Sequence, residues 1–261
     1  NAEAVRFFDA EKKKWEHIDN SLEEKEDAFE SKSGNLKTRI SKVHKGKQVD
    51  ISKADKQISW EYLGKQGVAV ANDENKITAE TVLKVNSATA CSAKNINSSA
   101  VYENIEGDTD LEYCLLGNNL KENIIVKERS TGYRYLFALK TEGLKLRLSE
   151  DSESLELYTE REDADGIVKQ QVEFSIPSPY MYDANGVASD EVYYELETTE
   201  AGKYAFAVVA SEEWINAADR AFPVTIDPQI VTSNNNLVTK QTYYRDVYSS
   251  YGSGSGSGIS Y

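Results

Sequence analysis

Residues 192–228 read VYYELETTEAGKYAFAVVASEEWINAADRAFPVTIDP, and this stretch decides the fold. Val192, Tyr194 and Leu196 alternate with polar or smaller residues, and Tyr204, Phe206 and Val208 do the same after the Glu200-Ala201-Gly202 break. Alternation with a period of two puts every second side chain on one face, so the pattern predicts two half-buried strands joined by a short turn. Ser211 suits a helix N-cap, because its hydroxyl can accept from an early helical N–H, and Glu212 and Glu213 favour the positive end of a short helix predicted over 212–218. Trp214 and Ile215 give that turn an apolar side. An extended run follows at Phe222-Pro223-Val224-Thr225-Ile226. Asp227-Pro228 ends it, since proline lacks the N–H donor and fixes φ.

The same period extends upstream. Tyr133, Tyr135, Phe137 and Leu139 share one face, as do Leu144, Leu146 and Leu148, then Leu155 and Leu157, then Val172, Phe174 and Ile176. Three further strands are predicted at 101–105, 111–116 and 124–126, separated by Gly107-Asp108 and Gly117-Asn118-Asn119; the last is nearly all apolar and reads as central. At the amino end, Val5–Phe8 and Trp15–Ile18 flank a turn and predict another hairpin, and strands resume at 36–40, 49–51 and 58–63. Residues 23–37 are mostly charged, with Ala28-Phe29 as the apolar pair, and read as a loop or linker carrying little core. The basic run Lys42–Lys47 reads as an exposed hairpin tip. The prediction is an all-β protein, an antiparallel β-sandwich or extended double sheet with one short helix near 212–218.

Composition narrows the function. A chain of 261 residues can bury a substantial core. Its formal charge of −14 and pI of about 4.7 argue against nucleic acid as a partner, because that affinity rests on Lys and Arg neutralising phosphates. A mean hydropathy of −0.58, with no apolar run long enough for a transmembrane helix, argues against membrane insertion. The chain starts at Asn1 with no signal-peptide pattern and reads as a piece of a longer, processed polypeptide. Cys91 and Cys114 are spaced neither as metal ligands nor as a redox pair. Two readings stand, one disulfide or two buried thiols, with unpaired thiols favoured. His17 and His44 do not point to zinc, and Met181 and the three tryptophans are read as packing residues.

Candidate chemistry is sparse. The turns Asp163-Ala164-Asp165-Gly166 and Asp183-Ala184-Asn185-Gly186 place oxygen ligands at alternating positions. Asp183, Asn185 and Asp190 are therefore candidate Ca²⁺ ligands, although neither turn completes an EF-hand loop and Asp/Asn-Gly is also what a hairpin turn demands. Calcium is the one cofactor these residues suggest. Tyr243, Tyr244, Tyr248 and Tyr251 form a candidate platform for stacking on sugars, against the simpler reading that tyrosine is a favoured strand residue. Phosphate-binding loops, a dinucleotide fingerprint and a nucleophile elbow are missing, and 44 acidic residues make chance carboxylate pairs expected.

Five segments in order carry a resemblance. They are Trp15–Leu22; Val101–Ile105 with Asp110–Tyr113; Leu120–Val126; Phe174–Asp183; and Trp214-Ile215 with Phe222–Pro228. Together they resemble the amino-terminal region of secreted Gram-positive RHS/YD-repeat proteins of the wall-associated type, in which a DNRLRE β module follows. The resemblance implies a secreted, cell-wall-associated, multi-domain protein whose amino-terminal region is non-catalytic. It implies a β-rich region over 1–230, with a seam near 72–99 if it holds two sub-domains, and the start of a truncated DNRLRE-like module with a Gly-Ser tail over 231–261. The expectation that follows is a structural spacer module, not an enzyme, with other domains of the same longer chain as partners. A module binding cell-wall polymer or glycan is the alternative, and a carbohydrate-active enzyme the second alternative.

Overall fold

The computed structural model describes residues 6–43, 48–65, 84–86, 98–200 and 202–232. The chain opens with a hairpin of β1 (Arg6–Asp9) and β2 (Lys14–His17). A meander follows: β3 (Asp19–Glu24), β4 (Ala28–Ser33), β5 (Lys37–Ser41), β6 (Val49–Lys53) and β7 (Lys56–Lys65). Next come β8 (Lys84–Asn86), β9 (Ser99–Glu106), β10 (Thr109–Leu116) and β11 (Asn119–Val126), again antiparallel neighbours. β12 (Arg134–Glu142), β13 (Lys145–Leu148), β14 (Leu155–Glu162) and β15 (Val168–Ile176) lead to the short pair β16 (Tyr180–Tyr182) and β17 (Ala188–Ser189). β18 (Val192–Glu200), β19 (Lys203–Ala210), the helical turn α1 (Glu212–Ile215), β20 (Val224–Asp227) and β21 (Gln229–Thr232) complete the described part.

Two large antiparallel sheets face each other. The first runs β18-β19-β12-β7-β6-β5-β4-β3; the second runs β13-β14-β15-β21-β11-β10-β9-β8, with β20 paired to β11 and β16. Their inward residues form one hydrophobic cluster, to which Trp60, Tyr62, Phe137 and Phe206 come from the first sheet and Tyr113, Leu120, Ile124 and Phe174 from the second. Phe137 stacks on Phe206 at 5.2 Å between ring centroids, and Trp60 meets Tyr113 across the sheets at 6.2 Å. This is the predicted all-β sandwich, and the nearly apolar strand is central: β11 has β10 on one side and β20 and β21 on the other.

The decisive hairpin forms as read. Tyr194 pairs with Val208 and Leu196 with Phe206, so the alternating apolar residues meet across the ladder. Gly202 turns it at a φ of +79°, and a Cβ there would lie 3.2 Å from the Thr141 carbonyl oxygen, so conformation and space both call for glycine. Ser211 Oγ accepts from the Trp214 N–H at 3.2 Å, as the cap requires. The helix stops at Ile215 rather than 218, because Asn216 leaves helical geometry at φ −87° and ψ 3°. Its side chain is engaged elsewhere: Nδ2 donates to the Ser130 carbonyl at 2.9 Å and Oδ1 accepts from Tyr133 Oη at 2.8 Å.

Two expectations give way. Residues 23–37 are not a linker with little core: they run through β3, β4 and the start of β5, and bury Ala28, Phe29 and Leu36. Their charges occupy the solvent side, where Lys42 meets Glu24 at 2.8 Å and Arg39 meets Asp27 at 2.5 Å. High charge therefore concealed strands that were present. Nor are all three tryptophans core residues, since Trp15 is 67% exposed and touches Phe8 edge-on at 5.7 Å. Most of the seam near 72–99, the basic run beyond Val43 and everything after 232 lie outside the described residues.

Candidate functional site

The chemistry-bearing side chains that the fold gathers lie between the sheets. On β10 and β11, Tyr113 is paired directly with Glu122, and both share the inward phase with Leu111, Leu115, Leu120 and Ile124. Tyr113 Oη donates to Glu122 Oε1 at 2.6 Å. The Trp60 indole faces the same carboxylate from β7 but falls short of hydrogen-bond geometry. Burial pushes the Glu122 carboxyl up to about 7, and the pull of Tyr113 and Trp60 toward the charged form does not offset it. Glu122 thus has a phenolic partner and an apolar surround. One signal could have found it, namely a carboxylate in phase with Leu120, Ile124 and Val126.

A second cluster joins the same sheets further along. Tyr62 Oη donates to Glu106 Oε2 at 2.6 Å, and the Lys65 N–H reaches the same carboxylate at 2.9 Å. Lys65 Nζ donates to Asp108 Oδ2 and Ser130 Oγ, each at 3.1 Å, and lies 4.6 Å from the centre of the Tyr133 ring. Burial alone would raise the Asp108 carboxyl, but Lys65, Ser130 and Thr109 outweigh it and hold Asp108 below the usual carboxylate value. Every polar group named here has a partner from the opposite sheet or an adjoining loop. The cluster fastens β7 to β9, β10 and the loop before β12.

The candidate calcium turn has a different occupant. Asp183 Oδ1 accepts the N–H groups of Asn185 and Val187, each at 2.9 Å, while Oδ2 takes the Ala221 N–H at 3.2 Å and Arg220 Nη1 at 3.3 Å. Both oxygens of the proposed ligand are therefore committed to protein donors. Asn185 contributes its backbone N–H, and the Asp190 carbonyl accepts from Val192. Among the described residues no group of three or more His, Cys, Asp and Glu side chains is placed to hold a metal ion. The Asp163 turn repeats the motif, with Oδ1 accepting from Asp165 and Ile167 at 3.0 Å each. Both are the hairpin turns that Asp/Asn-Gly favours, with Gly166 and Gly186 at φ +78° and +79°. The candidate tyrosines Tyr243, Tyr244, Tyr248 and Tyr251 lie outside the described residues.

Cys114 corrects the thiol reading: it is disulfide-bonded. The chain's one other cysteine is Cys91, which lies outside the described residues. Spacing could not reveal this, because pairing depends on which residues the fold brings together.

No family model matches the chain. It is similar to a class of proteins named as tRNA nucleases. These are tRNA nuclease WapA of Bacillus subtilis strain 168, tRNA(Glu)-specific nuclease WapA of Bacillus subtilis subsp. natto strain BEST195 and tRNA3(Ser)-specific nuclease WapA of Bacillus spizizenii. Each is 29% identical over 167 residues, a match spanning 61% of this chain and 6% of the relative. The similarity supports the resemblance to wall-associated RHS-type proteins, as a relation to WapA.

These names overturn three expectations. A non-catalytic spacer, the absence of enzyme activity and the exclusion of nucleic acid all conflict with relatives named for cleaving tRNA. The glycan and carbohydrate-enzyme alternatives gain no support, since the relatives' names point to tRNA. The physical reason for the error is scale: a net charge of −14 describes this segment's surface, and the match covers 6% of the relatives' length. The charge of a chain that matches so small a part of its relatives does not exclude the substrate those relatives are named for.

Proposed function

We propose that this chain is a β-sandwich segment of a large, secreted, wall-associated polypeptide whose activity is cleavage of tRNA. The observation that carries the reading is the 29% identity over 167 residues to three WapA proteins named as tRNA nucleases. Two features support the setting. The disulfide at Cys114 suits an oxidising exterior, where such bonds persist. No helix of the described residues is long and apolar enough to cross a membrane. In the same reading, residues 1–230 form the β-rich amino-terminal region, and 231–261 begin a DNRLRE-like module.

The test uses the whole polypeptide that carries this chain. It is incubated with a total tRNA pool, and the products are separated on a denaturing gel. Discrete tRNA fragments, absent when the polypeptide is heat-inactivated first, are the expected result. An intact pool under conditions in which Bacillus subtilis WapA cuts tRNA overturns the proposal. Running residues 1–261 alongside locates the cutting residues inside or outside this segment.

A further inference from the structure

The outward face of β10, β11 and β20 carries polar side chains that are buried. Lys121 Nζ lies 2.7 Å from Asp227 Oδ2, with the two side chains only 14% and 4% exposed. Glu112 and Asn123, paired across β10 and β11, join through Asn123 Nδ2 donating to Glu112 Oε2 at 2.7 Å. Continuing the Ile124 to Ile226 register places Asp227 opposite Asn123, two residues from Lys121 on the same face. Two acceptors there, Asp227 Oδ1 and Asn123 Oδ1, have no hydrogen-bond partner among the described residues. A buried ion pair stabilises only when its remaining lone pairs are satisfied, and this one leaves an oxygen unmet. The exposed pairs of the molecule, such as Lys12 with Glu16, face no such cost.

We propose that Lys121 and Asp227 condense into an intramolecular amide that joins β11 covalently to β20. The first step is transfer of a proton from Nζ to the carboxylate across the 2.7 Å contact, giving an amine and a carboxylic acid. The Nζ lone pair then attacks Asp227 Cγ and forms the C–N bond. Nitrogen gives up a second proton, a C–O bond breaks and that oxygen leaves as water. Ammonium and carboxylate become amide and water, with no oxidant, reductant or further reactant. Proximity replaces activation, because the reacting groups are held at hydrogen-bond distance. The product carries no charge and one fewer acceptor oxygen, and Asn123 Oδ1 stands on the same face for its new N–H.

The test is the intact mass of residues 1–261 after full reduction of the disulfide. The expected mass is one water below the sequence mass, and digestion should yield a branched peptide linking Lys121 to Asp227. Lys121→Arg retains a cation but cannot form this amide, and Asp227→Ala removes the carboxyl. Both should return to their full sequence masses, with circular dichroism confirming that they fold. Three results overturn the proposal: wild type at full mass after prolonged incubation near neutral pH, loss of ammonia instead of water, which moves the link to Asn123, or loss of water without a branched peptide, which is dehydration at an Asp-Gly turn. The readout is independent of tRNA cleavage, so this proposal and the functional one stand or fall separately.

Discussion

Glu122 and Asp183 are both buried carboxylates, 4% and 1% exposed, yet their surroundings drive them in opposite directions. Glu122 lies between the sheets with one phenolic hydroxyl and, among the described residues, no cation against it, and its carboxyl rises to about 7. Asp183 is as inaccessible to solvent but less deeply enclosed, and the N–H groups of Val187, Ala221 and Asn185 and the Arg220 guanidinium outweigh its burial and hold the group below its usual value. Burial alone therefore predicts neither sign nor role. What decides is how many donors the fold aims at the oxygens. A strand interior offers few, because its N–H groups are used in the ladder; a turn next to a chain crossing offers several.

The strongest way to break the comparison is Asp183→Ala. It leaves the N–H groups of Asn185, Val187 and Ala221 and the guanidinium of Arg220 without their acceptor, and should cost about 4 kcal/mol in urea unfolding near pH 7. A loss comparable to that of a surface pair would show that backbone geometry, not the carboxylate, holds the turn. Acid should act in the same direction. The stabilisation from Asp183 is complete above its ordinary value of 3.8 and disappears as pH falls through the lower folded value.

Glu122 should show the reverse dependence. Its native carboxyl is raised above the ordinary 4.5, so its contribution is complete below 4.5 and is lost as pH rises through about 7. Glu122→Gln removes that loss. The variant should match wild type near pH 4 and exceed it by up to about 3 kcal/mol at pH 8, read from urea midpoints at both values. Equal midpoints at pH 8 would mean that Glu122 finds compensation when ionised.

Tyr113→Phe sharpens the same point, because it deletes the hydroxyl that donates to Glu122. The variant should lose about 1 kcal/mol. Nuclear magnetic resonance should find the Glu122 carboxyl titrating higher than in wild type, since a donor to the charged form has gone. The smallest effect belongs to Asp163→Ala. That turn repeats the Asp183 geometry but is open to solvent, with exposed Lys169 as its ionic partner. Its melting temperature should move least of the set, and a shift as large as that of Asp183→Ala would remove burial from the explanation.

Much of the sandwich was legible in the alternation of Tyr133–Leu139, Leu155–Leu157 and Val192–Val208, because strand faces are set by local geometry. The Asp163 and Asp183 turns were legible too, since Asx turns use donors within four residues. Residues 23–37 were not, because charged side chains on the solvent phase outnumber the few apolar ones that face in. Arg220 was invisible as the partner of Asp183 because 37 residues separate them. The similarity to proteins named as tRNA nucleases was beyond reach of the chain's charge, which reports on its own surface.

The sequence by itself determined which residues alternate, where glycine must turn the chain and where Ser211 starts a helical turn, since each follows from interactions spanning a few residues. Only the tertiary structure decided that Glu122 meets Tyr113 and Trp60, that Asp183 meets Arg220 and that Lys121 meets Asp227. Those meetings depend on sheet order and register. Both are settled by burying two apolar faces against each other, and no short stretch of sequence records the result.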